Sequence, residues 1–138
     1  MLFRSYRTQS AHALTVAEWL AARPEVENVR YPGLTSSRFH ALARAQMQDF
    51  GCVVTFDLRA GAEAGRRVTE ALTLFAHTAS LGSTESLIVP PQMMGGRELN
   101  AEEREWSDIR AGSIRLSIGL EDPRDLIADL ARAFAAAR

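Results

Sequence analysis

An α/β sandwich is the fold class predicted for this chain, and three observations predict it. Segments with apolar residues at helical spacing alternate along the chain with short segments of strand-type alternation. The 138 residues fit one domain, and a chain of this size can bury roughly 68–70% of its unfolded surface in a core. No low-complexity tract, internal repeat or evident linker interrupts the alternation. Sixteen basic residues against seventeen acidic give a formal net charge of −1, with 24% of residues charged. That balance argues against nucleic acid as the main partner, because phosphate binding ordinarily leaves a basic excess. No apolar run approaches the about eighteen residues of a membrane span. The opening MLFRSYRTQS lacks the apolar stretch and cleavage site of a signal peptide. A cytoplasmic location with no membrane partner is the expectation.

Element by element, Ser10 to Ala22 reads as a helix with Leu14, Ala17, Leu20 and Ala21 on one face. Arg23-Pro24 stops it, because the residue before proline is pushed out of the helical region. Val26 to Tyr31 is a short strand closed by the turn Pro32-Gly33. Ser36 or Ser37 caps a second helix to about Gln48, with Phe39, Leu42, Ala43 and Met47 inward. After Gly51, the alternation of Cys52, Val54, Phe56 and Leu58 with Val53, Thr55 and Asp57 marks a strand. Ala62 to Thr73 follows as a helix burying Ala64, Val68, Ala71 and Leu72. Leu74 to Pro91 mixes strand pieces with a Ser/Gly/Thr turn, and Met93-Met94-Gly95-Gly96 reads as loop. Asn100 and Glu103 have the spacing of a reciprocal helix cap, opening a helix to about Ile109. Ala111-Gly112 turns into the clearest strand, Ser113 to Leu120. Asp122 caps the last helix, with Pro123 in its first turn and Leu126, Ile127, Leu130, Ala131 and Phe134 as its buried stripe.

Within the strand SIRLSIGL, alternation places Ile114, Leu116, Ile118 and Leu120 in one apolar row. Ser113, Arg115, Ser117 and Gly119 therefore face the other way. Two readings are open for Arg115: an arginine on a solvated sheet face, or a fork for a planar carboxylate, which a guanidinium matches in bidentate fashion. Ser80 to Ser86 (SLGSTES) gathers four hydroxyls around one acid, as a plain polar turn or as a source of backbone donors for an anion. It is neither a P-loop nor a nucleophile elbow, because both spacings are missing. His12, His40 and His77 lie far apart without metal spacing, and no metal site is expected. The lone cysteine, Cys52, excludes an internal disulfide and reads as core. Arg66 and Arg67 suit a solvated helix face. All sixteen basic residues are arginine. Codon usage explains that blandly, yet the chemical consequence holds: without lysine, this chain forms no lysine Schiff base.

The run LFAHTASLGSTESLIVPP, followed by AGSIRLSIGLEDPRDLIADL, resembles the C-terminal domain of the pyridoxal-phosphate enzymes of cysteine and methionine metabolism. These are the cystathionine γ-synthase, cystathionine β-lyase, cystathionine γ-lyase and methionine γ-lyase relatives. HALTVAEWLAARPEVENVRYPGL and FHALARAQMQDFGCVVTFDL resemble the same family's preceding segments, so the likeness runs from about Ala11 to Ala133. The resemblance implies a two-layer sandwich, a largely antiparallel sheet with helices on one side, of the fold-type I aminotransferase-like architecture. Pattern alone also admits parallel βαβ units.

The resemblance further implies that residues 1–138 form the small C-terminal domain of a lyase or transferase acting on a sulfur-containing amino acid. Cystathionine, cysteine, homocysteine, methionine and an O-acyl homoserine are the substrate candidates. Arg115 matches the family's grip on the substrate α-carboxylate, and Ser80 the serine beside the cofactor and that carboxylate. Ala79 falls at a position that sorts substrates. Gly82, Glu85 and Ser86 belong to the turn motif, Glu85 being expected to stabilise the turn by a hydrogen bond. Pyridoxal 5'-phosphate is the cofactor of the parent enzyme, held by an N-terminal lysine-bearing domain or a separately encoded subunit. No catalytic residue is expected in this chain, which alone is expected to be inactive, and the complete enzyme is expected to be a homo-oligomer. A non-catalytic amino-acid- or protein-binding module derived from that domain is the alternative. Met94-Gly95-Gly96 departs from the family's methionine-threonine-histidine stretch, and His12 stands where asparagine is common.

Overall fold

Alternating apolar residues build the sheet, and helical stripes cover it. The computed structural model describes residues 2–90 and 100–137. Along the chain run α1 (Leu2–Ala21), β1 (Val26–Arg30), α2 (His40–Gln46), β2 (Val53–Leu58), α3 (Gly61–Ala71), β3 (Ala76–His77), β4 (Leu87–Val89), α4 (Ala101–Ser107), β5 (Ser113–Ser117) and α5 (Pro123–Ala136). The strands lie in the order β1-β2-β5-β4-β3. Neighbours are antiparallel except β3 and β4, which pair in parallel through Ala76↔Leu87 and His77↔Ile88. The largely antiparallel expectation thus holds, with one parallel edge pair.

Val54, Phe56, Ile114, Leu116 and Ile88 leave the sheet on one face and are fully buried. Ala13, Val16, Ala17 and Leu20 of α1, Ala64 and Val68 of α3, and Leu126, Leu130, Ala133 and Phe134 of α5 close over them. Phe134 anchors this layer, stacking on Trp19 at 5.8 Å and meeting Phe56 edge-on at 6.2 Å. Each fully buried Val, Leu, Ile or Phe side chain here contributes about 1.5–3 kcal/mol relative to exposure. The Tyr31 hydroxyl lies 3.1 Å from Ser10 O and 2.9 Å from Gly51 O, tying α1 to the approach of β2. Burial pushes its pKa up to about 12.

The expected caps form. Asn100 Oδ1 accepts from Glu103 N at 2.9 Å while Glu103 Oε2 accepts from Asn100 N at 2.8 Å. Asp122 Oδ1 accepts from Arg124 N at 2.9 Å at the start of α5, and hydrogen bonding from Arg124 holds its carboxyl down to about 2. At the junction between α3 and β3, the buried Asp129 of α5 accepts from Thr73 N, Leu74 N and the Thr73 hydroxyl, and pairs with Arg132.

Four expectations need correction. Helix α1 starts well before Ser10, and its buried stripe leaves Ala21 exposed and Leu14 at the edge. Helix α2 begins at His40, because hydrogen-bonded turns at Leu34, Ser37 and His40 occupy the preceding segment. Only Ala43 of its expected inward face is buried; Phe39, Leu42 and Met47 are exposed. Strand β5 ends at Ser117, and Leu120 leaves the apolar row for the surface. There the Ile118 and Leu120 N–H groups turn to Cys52 O and Thr84 O, so the chain exchanges its ladder for loop contacts. The Met93–Gly96 loop lies outside the described residues.

Candidate functional site

The sheet face opposite the helix layer carries the polar residues. Register pairs Thr55 with Arg115, Asp57 with Ser113, Leu87 with Ser117 and Val89 with Arg115, so these side chains share that face. At one end, Arg115 Nη2 donates to Ser80 O at 3.2 Å. Its Nε is buried and has no hydrogen-bond partner among the described residues. A guanidinium presents five N–H donors in a fixed fork, and a buried donor left unpaired costs about 1–3 kcal/mol. The arrangement therefore suits a planar anion, above all a carboxylate.

The turn that Arg115 touches is anchored to the segment following Arg115. Ser117 Oγ accepts from Gly82 N at 2.9 Å, and Thr84 O accepts from Leu120 N at 2.8 Å. Glu121 takes Ser86 N on one carboxylate oxygen at 2.7 Å and the Ser86 hydroxyl on the other at 2.8 Å. Ser86 Oγ in turn accepts from Gly119 N at 2.9 Å. Gly119 must be glycine for this approach, since a Cβ there would lie 2.4 Å from Thr84 O. From the other side, Gln9 Nε2 donates to Ser83 O at 2.6 Å.

At the far end of the same face stands a second arginine with a different environment. A β-bulge between Glu27 and Arg30, with Asn28 at φ +50°, brings Arg30 onto the face that Glu27 and Asp57 share. Asp57, 1% exposed at its side chain, accepts from Arg30 Nη1 at 3.0 Å, Arg30 Nη2 at 2.7 Å and Asn28 Nδ2 at 3.1 Å, and from the Ser113 hydroxyl. Arg30 also donates from Nε to Asp108 at 2.8 Å and from Nη2 to the Asp108 carbonyl at 2.6 Å. Burial works against the charge of Arg30, but Asp57 and Asp108 overcome it and raise its pKa. This guanidinium is consumed by structure.

Of the residues singled out by sequence, Arg115, Ser80, Gly82 and Ser86 come together. Ala79 adjoins them on the chain and is exposed. Glu85 is exposed, and among the described residues its hydrogen bond is made by its backbone N–H, to Ser83 Oγ at 3.4 Å. The acid that grips the turn is Glu121, so the stabilising role expected of Glu85 falls to a different carboxylate. Sequence reasoning does not single out Glu121, which stands directly before the helix-capping Asp122 and far along the chain from Ser86. Cys52 is buried but outside the main core, 3.9 Å from Ser117 Oγ. His40 Nδ1 lies 2.9 Å from Pro32 O, and His77 is exposed on β3. Arg66 pairs with Glu63 and Glu70 on the exposed face of α3. No group of three potential metal ligands occurs among the described residues. No helix among them is long and apolar enough to cross a membrane. An apolar crevice of about 350 Å³ opens elsewhere, between α3, α5 and the end of β2, lined by Pro24, Leu58, Val68 and Phe134 among others.

Comparison with known proteins gives a consistent result. The family model described as Cys/Met metabolism PLP-dependent enzyme matches residues 3–135. An L-methionine γ-lyase of Pseudomonas putida is 45% identical over 126 residues, covering 91% of this chain and 32% of the relative. An O-succinylhomoserine sulfhydrylase of Pseudomonas aeruginosa is 42% identical over 130 residues, covering 94% of this chain and 32% of that relative. Among solved structures, a cystathionine γ-lyase from Micromonospora echinospora superimposes with a TM-score of 0.86 at 42% identity, covering 95% of this chain and 34% of that one. A structure assigned as an O-acetylhomoserine (thiol)-lyase from Campylobacter jejuni has a TM-score of 0.88 at 34% identity, covering 95% of this chain and 31% of that one. The latter contains an N'-pyridoxyl-lysine monophosphate. This chain thus spans about a third of the length of the relatives it matches.

Proposed function

We propose a role from one premise: the chain belongs to the Cys/Met metabolism PLP-dependent enzyme family. It serves as the C-terminal small domain of a lyase or transferase that breaks or makes bonds at Cβ or Cγ of a sulfur-containing amino acid. Its task there is to bind the substrate α-carboxylate through Arg115. The observation that carries this reading is the buried, unpartnered Nε of Arg115 beside the Ser80 carbonyl.

The residues present fit the substrate's carboxylate and not the cofactor's aldehyde, since the chain has no lysine. Pyridoxal phosphate is accordingly held by a part of the enzyme outside this chain. When bound, it withdraws electrons from the substrate Cα. Arg115 pins the carboxylate and so fixes the rotation of the amino acid about its Cα, which sets the bond that reacts. Ser80 steadies the guanidinium from its backbone carbonyl, and Ala79 borders the region that sorts substrates. The exposed Phe39, Leu42, Met47 and Leu81, together with Trp106 at 86% exposure, support coverage by a larger partner domain.

Arg115→Ala in the pyridoxal-phosphate-loaded enzyme that carries this chain tests the reading. With L-methionine or cystathionine as substrate, KM is expected to rise about 100-fold, the loss of a charge-assisted bidentate pair. Misalignment lowers kcat as well. Near-normal kinetics without this arginine would remove the assignment. Mixed with pyridoxal phosphate, the 138-residue chain alone is expected to develop no imine absorbance beyond a trace from its N-terminal amine.

A further inference from the structure

We infer that Glu121 is a positioning residue for the substrate-carboxylate site, acting through the Ser80–Ser86 turn; the inference rests on the reading of Arg115 given above. Arg115 and Glu121 lie on one continuous segment, yet they reach the same turn at its two ends. Arg115 meets the turn at Ser80 O, 3.2 Å away. Glu121 meets it at Ser86, with both carboxylate oxygens engaged at 2.7 and 2.8 Å. Hydrogen bonds to an ionised acceptor are roughly twice as strong as neutral ones, so this is the firmest of the turn's anchors.

Between those ends, Ser117 Oγ holds Gly82 N at 2.9 Å, and Gly119 N donates to Ser86 Oγ at 2.9 Å. The close seat of Gly119, where a Cβ would lie 2.5 Å from Glu121 Oε2, leaves the carboxylate little room to shift. The turn and the strand bearing Arg115 therefore form one braced unit. Its consequence for the site is specific. Ser80 O occupies one N–H of the guanidinium and holds the fork so that Nε is left for the ligand. Once the turn drifts, the fork loses that support and samples other rotamers. The amide of Glu121→Gln keeps the shape but loses the charge that strengthens both bonds: its oxygen accepts from Ser86 N, while its NH2 can only donate to Ser86 Oγ, whose own proton must then turn elsewhere.

The experiment is a double-mutant cycle in the loaded enzyme. Its readout is the calorimetric Kd of 4-(methylsulfanyl)butanoate, a carboxylate without the amino group needed to react with the cofactor. Arg115→Ala is expected to weaken binding about 100-fold and Glu121→Gln about tenfold, while Glu121→Gln added to Arg115→Ala changes it less than about twofold. Such coupling identifies action through Arg115, which a purely structural role would not produce. A full tenfold loss in the Arg115→Ala background, or no loss in the wild type, overturns the inference and leaves the role of Arg115 standing. Unchanged affinity in Arg115→Ala overturns the carboxylate reading itself. Should Glu121→Gln fail to fold, Ser86→Ala removes the hydroxyl that Glu121 Oε2 accepts from and is put through the same cycle; a loss undiminished in the Arg115→Ala background overturns the inference.

Discussion

Two arginines occupy one face of the sheet, and their surroundings differ in the way that separates structure from function. Arg30 is enclosed by Asp57 and Asp108, with every partner supplied by the protein. Arg115 has one backbone carbonyl and a buried Nε without a hydrogen-bond partner among the described residues. The same side chain can therefore be a strut or a receptor, and the difference lies in whether its donors are spent. Beside Arg30 the sequence supplies two acids and a bulge; beside Arg115 it supplies small residues and hydroxyls.

The largest expected effect breaks the strut. Asp57→Ala removes the buried acceptor shared by Arg30, Asn28 and Ser113, leaving Arg30 with Asp108 alone and the other two donors unpaired. Unfolding in urea is expected to show a loss of about 3–5 kcal/mol, the range for breaking a buried pair from one side. A change of a few tenths would mean that the two arginines are alike after all. Arg115→Ala is expected to invert that pattern. Its KM rises about 100-fold, while the same urea experiment detects a change below about 1 kcal/mol, as for residues with few internal partners.

Asp129, on the helix side, sharpens the comparison as a structural acid remote from both arginines. Burial alone would raise its pKa, but Leu74 N, Thr73 N, Arg132 and the Thr73 hydroxyl overcome this and hold the carboxyl below its ordinary value. A depressed carboxyl stabilises the fold above its unfolded pKa, about 3.9 for Asp. That contribution is lost as pH falls through the lower folded value. Asp129→Ala is expected to cost about 2 kcal/mol at neutral pH, as buried hydrogen-bond donors lose their acceptor. The deficit should shrink as the urea midpoint is followed from pH 5 down to about 2. The smallest effect is Arg66→Ala. Its ion pairs with Glu63 and Glu70 are exposed, so the urea midpoint is expected not to move.

Much of this architecture was legible in the sequence because it is written in local pattern. The Asn100–Glu103 cap, the Asp122-Pro123 helix start and the inward rows of β2 and β5 all follow from spacing within a few residues. Alternation puts Arg115 on the polar face and the family resemblance puts Ser80 beside the carboxylate; the contact of Arg115 with the Ser80 carbonyl is visible only in the structure. The Asp57–Arg30 cluster was not legible, since it joins residues on separate strands through a bulge that alternation cannot signal. Glu121 was missed for a related reason: its partner, Ser86, is brought to it by the tertiary path of the turn. Helix α2 shows the opposite failure. Its apolar residues have helical spacing, but spacing does not say whether the partner they await lies within the chain.

The most direct test of the central claim is a crystal structure of the pyridoxal-phosphate-loaded enzyme carrying this chain, with 4-(methylsulfanyl)butanoate bound. The account predicts both carboxylate oxygens about 2.7–2.9 Å from Arg115 nitrogens, Nε among them, with Ser80 O still on Nη2. A carboxylate seated elsewhere, with Arg115 Nε met by another protein group, would contradict it.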